Sequence, residues 1–437
     1  MNKNFIKKTL NLTIKTWISE SNGIYNYKSE GLGIREMKEK FNESCYIIRE
    51  ENNISIIKQN YKYNDEIEGQ ILFYIRKSLK DNNNFEIVNP IKKASEKNVY
   101  NIDDINRRPW LIVNSKDGIC NENEEYNLNE NDIIKLGRKK YEIIKKNINI
   151  NEINSIASDS PEEYNISKMN KERGSIFNID IKKNQYELKD EKIEIKKDDS
   201  NNINFCKSNS IDKEGEPETE IEKCRICFET NSTKENPKIK LCYCNDFVHF
   251  ECLKVYLNTK TVIFENEKNT IKRFICNRFN CEICLKPYPL RFRIPEFNKI
   301  YELIDLNMPS EIDYIILESL DFIKDNNNLK NVYIVTLNGD EINIGRYDTN
   351  DIIESDISVS RNHAILKFNK KTGKLHLVNL AKFGTLILIK GNIKMKEKNI
   401  HIQVGKSHIQ ANLTEDSTSH TLKPKSKENL PIRDNPE

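Results

Sequence analysis

The chain reads KCRICFET at 223–230, LCYCNDFVHFECLKVYL at 241–257 and CEICLKPYPLRF at 281–292. These stretches hold eight sulfur or nitrogen donors in four close pairs: Cys224, Cys227, Cys242, Cys244, His249, Cys252, Cys281 and Cys284. Structural zinc takes four Cys or His donors in a tetrahedron, and a Cys-x2-Cys turn lets two thiolates reach one ion. The four pairs therefore predict two closed zinc sites, with two zinc ions as cofactors.

Closed sites of this kind stabilise a fold and do not catalyse hydrolysis, because no coordination position stays open. Each structural zinc contributes roughly 10 to 16 kcal/mol of apparent binding energy, enough to fold a small domain that has little core. Cys276 is a ninth possible donor. It lacks the tight turn spacing of the four pairs, so we expect it to remain a free thiol.

Composition outside this cluster indicates a soluble, multidomain protein. Hydrophobic residues make up 37% and charged residues 31% of the 437 residues, so long polar stretches cannot offset the entropy of ordering. The net charge of +3 does not indicate a nucleic-acid partner. No apolar run reaches the roughly 18 to 20 residues of a membrane span, and no signal-type apolar segment is evident. Eight of the eleven cysteines fall within 224–284, which is typical of an intracellular protein, cytoplasmic or nuclear.

Apolar periodicity divides the chain into folded and polar segments. Short runs such as ILFYI at 71–75 and HAILKF at 363–368, separated by polar turns, predict β-strands. The predicted segments are a β-rich domain at 45–148, a disordered linker at 149–221, the zinc finger at 222–292, an all-β sandwich at 325–412 and a disordered tail at 413–437.

Two of these segments end alike. NDIIKLGRKKYEI at 131–143 and NIHIQVGKSHIQ at 399–410 share a strand, glycine, strand order. This shared order favours the interpretation that the N-terminal β domain is a divergent copy of the sandwich at 325–412.

The order of the eight donors, the single-residue step between Cys242 and Cys244, and the CL that opens a helix after His249 resemble the RING-CH (RING-variant) zinc fingers over 222–292. The resemblance implies a small α+β fold in which the first and third pairs (Cys224, Cys227, His249, Cys252) hold one zinc and the second and fourth pairs hold the other. It also implies an E3 ubiquitin ligase without a catalytic nucleophile, which docks a ubiquitin-charged E2 enzyme on an apolar groove.

The groove residues that this resemblance implies are Ile226, Leu253, Tyr256 and Pro287. The chain departs from the family in three ways. Only four residues precede His249 after the second donor pair, Tyr256 replaces a tryptophan, and Leu285 stands where a basic residue often follows the last cysteine. The short loop and Phe279 also resemble a PHD finger, a reader of histone tails. That interpretation stays open as a third one.

A second motif predicts an anion site. The chain reads INIGRYDTNDIIESDISVSRNHAILKF at 342–368. A phosphate dianion needs charge-assisted donors, which the guanidinium of Arg346 and the hydroxyl of Ser360 can supply from neighbouring loops. Loops at one end of a rigid sandwich can converge on a single anion.

The pairs Gly345-Arg346 and Gly384-Thr385, with Ser360-x2-His363 between them, resemble the forkhead-associated (FHA) domain, a β-sandwich whose loops bind phosphothreonine. The resemblance implies phosphopeptide contacts from Arg346, Ser360, Arg361 and Lys382, with Gly345, His363 and Gly384 in structural roles. Phe383 stands where the family has an asparagine that holds the peptide backbone, so sequence selectivity is expected to be reduced or altered.

Together the two motifs resemble the FHA and RING-variant proteins of AT-rich protists such as ciliates, whose codon use suits the Asn, Ile and Lys bias. They imply a ligase that recruits an E2 and selects phosphothreonine-bearing proteins. A non-enzymatic zinc-finger and FHA adaptor is the alternative. An assay for ubiquitin transfer separates the two.

Overall fold

The computed structural model of the chain describes residues 8–18, 24–27, 29, 33–50, 53–58, 71–78, 84–88, 105, 108–113, 126–148, 177–178, 222–244, 246–310, 312–321, 329–338, 341–395 and 399–415. Most of the described elements are β-strands. The predicted linker at 149–221 lies outside the described residues except for 177–178. The predicted tail lies outside them beyond residue 415.

The strands of the N-terminal part follow the apolar alternation of the sequence. They are β1 (Lys8–Trp17), β2 (Ile34–Phe41), β3 (Cys45–Glu50), β4 (Asn53–Lys58), β5 (Ile71–Lys77), β6 (Phe85–Val88), β7 (Pro109–Val113), β8 (Tyr126–Leu128), β9 (Ile133–Leu136) and β10 (Lys139–Asn147). In β1, Leu10, Leu12 and Ile14 are buried at every second position, as a strand with one face on a core requires.

The cysteine-rich part combines short strands with one helix. Its elements are β11 (Phe177–Asn178), β12 (Lys238–Ile239), β13 (Val248–His249), α1 (Phe250–Thr259), β14 (Thr261–Glu265), β15 (Ile271–Cys276), β16 (Arg291–Ile294), a 3-10 turn (Pro295–Phe297) and β17 (Lys299–Glu302). Among the described residues, no helix is long and apolar enough to cross a membrane.

Ten further strands make up the C-terminal part. They are β18 (Tyr314–Ser319), β19 (Lys330–Thr336), β20 (Ile342–Gly345), β21 (Ile352–Ile353), β22 (Ala364–Asn369), β23 (Lys374–Asn379), β24 (Thr385–Leu388), β25 (Ile393–Met395), β26 (Ile400–Val404) and β27 (Ser407–Glu415).

The described strands form two compact units. The first unit contains β1–β7 and β25–β27. Its strands pair in the orders β7-β26-β27-β1-β2 and β25-β6-β5-β3-β4, and both sheets contribute to one apolar core that includes Leu12, Ile47, Phe73 and Ile402. The second unit contains β8–β24.

The second unit repeats the strand order of the first. Its strands pair as β24-β9-β10-β18-β19 and β8-β23-β22-β20-β21. Each of these ten strands has a counterpart at the same place in the first unit. The pairing differs only at one edge, where β20 and β21 are parallel but β3 and β4 are antiparallel. The two units therefore have equivalent strand orders.

In each unit, three consecutive strands pair with partners that are distant in sequence: β25–β27 in the first unit and β8–β10 in the second. The hairpin β9–β10 joins β24 to β18 in the second unit, although it follows β7 in sequence. The hairpin β26–β27 joins β7 to β1 in the first unit, although it follows β24. The two similar stretches at 131–143 and 399–410 are therefore exchanged, and neither unit corresponds to the continuous ranges 45–148 or 325–412.

The cysteine-rich region at 222–292, which the sequence predicts to be a zinc finger, shares a sheet and a core with the rest of the second unit. The hairpin β14–β15 extends the sheet, because β15 pairs antiparallel with β19. Finger residues Phe274 and Phe292 belong to the same buried cluster as Val332 and Ile334 of β19. The finger and the second unit's sheet therefore form one packed body, where the sequence predicts separate domains.

The helix α1 starts inside the third donor pair. It begins after His249, and Phe250, Leu253 and Leu257 are buried on one face at helical spacing. The Asn236 side chain accepts the backbone N–H of Glu251 at 2.9 Å, which satisfies one of the free donors at the helix start. The helix thereby holds the third donor pair against the core.

Candidate metal centres and anion-binding loops

The structure brings the eight predicted donors into two groups of four. The first group is Cys224, Cys227, His249 and Cys252, and the second is Cys242, Cys244, Cys281 and Cys284. Within each group the ligand atoms lie within 4.8 Å of one another. The grouping is the interleaved arrangement that the RING-CH resemblance implies, and both groups could hold a metal ion.

The spacing of the donor atoms fits tetrahedral zinc. Bonds of about 2.0 to 2.3 Å separate tetrahedral ligands by roughly 3.3 to 3.8 Å. The Nδ1 atom of His249 lies 3.2 Å from Cys227 Sγ and 3.9 Å from Cys252 Sγ. In the second group, Cys244 Sγ lies 3.8 Å from Cys281 Sγ. These separations are close to those of a tetrahedral metal site, and each group could hold one metal ion.

The histidine is oriented for ligation. Its Nδ1 faces the sulfur atoms, while its Nε2 contacts the carbonyl oxygen of Asn231. A hydrogen bond from the second ring nitrogen to a carbonyl fixes the tautomer and raises ligand basicity. Nδ1 is thus the His249 atom that faces the first group.

Hydrogen bonds to sulfur favour the thiolate at two positions. Burial raises the pKa of Cys224, but the backbone N–H groups of Cys227 and His249 outweigh burial and lower the pKa to about 7. Burial also opposes ionisation of Cys281, where backbone N–H groups and the guanidinium of Arg225 lower the pKa to about 6. The Arg225 Nη1 atom lies 3.6 Å from Cys281 Sγ. These thiols are prepared to bind a cation.

Two other donors carry their protons more tightly in the metal-free chain. Burial, with added repulsion from neighbouring cysteines, raises the pKa of Cys242 and of Cys252 to about 12. Metal binding must displace these protons, so affinity for metal is expected to increase with pH. Cys276 lies outside both groups. Its Sγ donates to the carbonyl oxygen of Leu257 at 3.5 Å, and burial raises its pKa.

The first and last cysteine pairs form two turns of the same geometry. The backbone N–H of Phe228 bonds to the carbonyl of Cys224, and that of Leu285 bonds to the carbonyl of Cys281. Phe228 and Leu285 both adopt positive φ, at 63° and 59°. Each turn leaves two apolar side chains exposed: Ile226 and Phe228 on one, Ile283 and Leu285 on the other. We call these four residues the knuckle patch.

The expected E2-binding residues separate into surface and core. Ile226 and Pro287 are exposed, whereas Leu253 is 1% exposed and packs in the core. Leu253 therefore does not reach a docking surface, because its position on α1 faces inward. Tyr256 is partly buried, and its hydroxyl contacts Glu282 and Lys260. Sequence reasoning did not place Phe228, Ile283 or Leu285 on the docking surface and noted Leu285 only as a departure from the family, although each adjoins a cysteine pair or lies within one.

The predicted anion-binding residues lie on adjoining loops of the second unit. The loop after β20 begins at Arg346, and the loop before β22 carries Ser360 and Arg361. The backbone N–H of Arg346 donates to Ser360 O at 2.9 Å, and that of Tyr347 donates to Arg361 O at 3.2 Å. The Arg346 Nε also donates to the carbonyl of Val359 at 3.3 Å. These bonds hold the exposed Arg346 beside Ser360.

Position 345 requires glycine because the loop at Arg361 approaches its Cα closely. The backbone angles of Gly345 do not themselves require glycine. A Cβ atom at Gly345 would lie 2.1 Å from the carbonyl oxygen of Arg361 and 2.9 Å from Asn350 Nδ2. Asn350 Nδ2 itself donates to the carbonyls of Tyr347 and Arg361, at 2.9 and 2.8 Å. Only a residue without a side chain allows the two loops to meet.

His363 connects the loops from within. Its ring Nδ1 accepts the backbone N–H of Ser360 at 3.0 Å, and the backbone N–H of His363 donates to Ile344 O at 2.8 Å. Burial lowers the pKa of His363 to about 4, with a smaller opposing effect from the backbone of Gly384. The imidazole is therefore neutral near pH 7 and can accept the Ser360 N–H.

The third loop carries Lys382, which is exposed. The Lys382 ammonium lies 5.6 Å from the ring centroid of Phe383. Asn379 shapes this loop, since its Oδ1 accepts from Ala381 N at 3.1 Å and from Thr385 Oγ1 at 2.8 Å. Sequence reasoning missed Asn379 and Asn350, because buried asparagines that bond to nearby backbone groups have no spacing signature.

Comparison with known proteins supports the sequence prediction for the region that carries these loops. No curated protein matches the chain. Residues 342–405 match the family model of the FHA domain, a match that supports binding of phosphothreonine peptides. The matched range runs through β20–β24 of the second unit and continues into β25 and β26, which pair within the first unit. Over residues 342–405 this chain therefore contains an FHA domain.

Proposed function

We propose that this protein is a zinc-dependent E3 ubiquitin ligase that docks a ubiquitin-charged E2 enzyme on its finger and selects phosphothreonine-bearing targets through its FHA domain. The single observation that carries the ligase part is the pair of equivalent metal-binding turns with an exposed apolar knuckle patch. Two closed donor sets without an open ligand position suit a scaffold for docking and do not suit metal hydrolysis.

The knuckle patch has the features of a docking surface. Phe228 is 72%, Ile283 67% and Leu285 63% exposed, and apolar exposure concentrated on two turns is unusual for a solvated surface. Arg225, which lies inside the first turn, contacts Cys281 in the second at 3.6 Å. The two turns are therefore adjacent, and their apolar side chains can act on one partner.

The attachment of the finger supports transfer by proximity. The β14–β15 hairpin extends the sheet that also contains β19 and β18, and the loops at Arg346 and Ser360 belong to the same unit. Because the hairpin and the loops belong to one compact unit, their relative motion is limited, and a bound target and a docked E2 stay near each other. Holding two reactants in one body raises their effective concentration.

Ubiquitin transfer with a panel of E2 enzymes tests the ligase proposal. Zinc-loaded full-length protein is expected to form ubiquitin chains with at least one E2, and Ile226→Ala combined with Leu285→Ala should abolish them. Val262→Ala is the matched control, because Val262 is also exposed, at 47%, but lies on β14 outside the turns.

Other outcomes separate the alternatives. A protein that binds phosphothreonine peptides but forms no ubiquitin chains with any E2 would be the non-enzymatic adaptor. Binding to histone-tail peptides that is lost on zinc removal would favour the PHD-like reader. Phe279, the aromatic residue on which that resemblance rests, is fully buried and packs edge-on against Tyr288.

A further inference from the structure

We infer that the turn Gly137–Arg138, in the hairpin contributed by the N-terminal part of the chain, is a positioning element of the phosphopeptide site. This inference rests on the proposed phosphothreonine binding by the loops at Arg346 and Ser360. It adds two residues that lie more than 200 positions away in sequence from those loops, and no motif in the chain connects them.

The turn holds the loop that leads into Ser360. The backbone N–H of Arg138 donates to Ser358 Oγ at 2.9 Å, and its guanidinium Nη2 donates to Asp356 Oδ1 at 2.9 Å. Asp356 Oδ1 also accepts the backbone N–H of Ser358 at 2.8 Å. The Asp356 carboxylate therefore bonds both within its own loop, to Ser358, and to Arg138 of the β9–β10 hairpin.

The charge state of Asp356 agrees with this role. Burial alone would raise the pKa of Asp356, but the bonds from Ser358 and the Arg138 guanidinium outweigh burial and lower it. The Asp356 side chain is 17% exposed and that of Arg138 is 43% exposed. The pair is therefore partly shielded from solvent, and hydrogen bonds between ionised partners are stronger than neutral ones.

Gly137 fits against the same loop at very short range. A Cβ atom at Gly137 would lie 2.4 Å from the carbonyl oxygen of Ser358 and 2.5 Å from its Oγ. Gly137 also has φ of +60°, a region that side-chain-bearing residues rarely adopt. Any side chain at this turn would push the Ser358 backbone away.

The loop held in this way carries the phosphate contacts. Val359, the next residue, provides the carbonyl that accepts from Arg346 Nε, and Ser360 provides the carbonyl that accepts from the Arg346 backbone. A displacement of Asp356 and Ser358 is therefore transmitted to Arg346 and Ser360 through two bonded neighbours. The turn at Gly137 thus acts on the phosphate through the loop and does not itself need to contact the peptide.

The test measures peptide affinity and stability together on the full-length protein. The probe is a library of fluorescent peptides with a fixed phosphothreonine and randomised flanking residues, beside the same library without phosphate. Arg138→Ala and Asp356→Asn are each expected to weaken binding of the phosphorylated library by about threefold to tenfold. Arg138→Asp should weaken it further, and the double variant Arg138→Asp with Asp356→Arg should recover part of the loss.

Two glycine variants provide a matched pair. Gly137→Ala and Gly405→Ala change equivalent hairpin turns, both at positive φ. A Cβ at Gly405 meets only the flexible end of Arg49, at 3.2 Å. Binding should therefore fall for Gly137→Ala and stay at the wild-type level for Gly405→Ala.

The results distinguish failure of the inference from failure of the proposed function. Wild-type protein that does not prefer the phosphorylated library would overturn phosphothreonine binding and this inference with it. Wild-type preference with unchanged affinity in all the Arg138 and Gly137 variants would overturn only the positioning role. Loss of affinity that merely follows loss of thermal stability, without recovery in the charge-swapped double variant, would also overturn it.

Discussion

Replacing Gly345 with alanine is expected to separate the loops that carry Arg346 and Ser360 at their closest point. The new Cβ would lie 2.1 Å from the carbonyl oxygen of Arg361, and this neighbour is backbone that cannot rotate away. The loops must move apart by roughly 1 Å to restore ordinary van der Waals contact. The movement breaks or lengthens the bonds from Arg346 N to Ser360 O and from Tyr347 N to Arg361 O.

The cost follows from these contacts. Overpacking at a tight site costs typically about 1 to 3 kcal/mol, and each weakened backbone bond adds about 0.5 to 1.5 kcal/mol. With two such bonds affected, Gly345→Ala should therefore destabilise the second unit by about 2 to 6 kcal/mol. Phosphothreonine-peptide binding should be largely lost, because Arg346 and Ser360 no longer share one position.

Hydrogen exchange is the appropriate assay, because both tryptophans lie on strands of the first unit and do not report locally on the second. Peptides covering 342–368 should exchange faster in Gly345→Ala, and anisotropy should show weaker binding to the phosphorylated library. Gly391→Ala is the control, since a Cβ there meets nothing within 4 Å. Equal exchange and equal affinity in the two variants would refute the close-approach argument.

Two further predictions concern the metal sites and the buried histidine. Elemental analysis should find two zinc ions per wild-type chain, one in Cys244→Ser and two in Cys276→Ser, because Cys276 donates to a backbone carbonyl outside both donor groups; fewer than two in the wild type would contradict the paired sites. The pKa of His363 is lowered from 6.5 to about 4, so the unfolded chain binds more protons between these values. Stability should therefore fall as pH drops from 6.5 to 4, by up to roughly 3 kcal/mol from this group. Denaturant titration across that range should show a shallower pH dependence in His363→Gln, and identical slopes in the two proteins would exclude the effect.

Local spacing was enough to identify the eight Cys and His residues that cluster in two groups of four and the region that matches the FHA family. A Cys-x2-Cys turn brings its sulfur atoms together within a few residues, so the pattern carries the geometry with it. The same holds for Gly345 and Ser360, which mark loops that flank short strands. The sequence could not predict that Leu253 is buried, because an apolar residue on a helix gives the same pattern whether it faces the core or a partner protein.

The position of the finger also depended on tertiary pairing. The stretch IKRFIC at 271–276 reads as an isolated strand, and nothing in it indicates which sheet it joins. In the structure its neighbour is β19, and its buried face, with Phe274, completes a core that the finger alone does not contain. Pairing between distant strands is set by complementary packing across the whole sheet, which a local pattern does not encode.

The amino-acid sequence by itself determined the eight donors, their division into close pairs, the loops at Arg346 and Ser360, and the likeness between the hairpins at 131–143 and 399–410. Only the tertiary structure decided which sheet each hairpin completes. The physical reason is that both hairpins present the same alternation of strand, glycine turn and strand, so either pattern is compatible with either sheet. The choice is made by contacts such as those of Gly137 and Arg138 with the loop at Asp356 and Ser358, which exist only after folding.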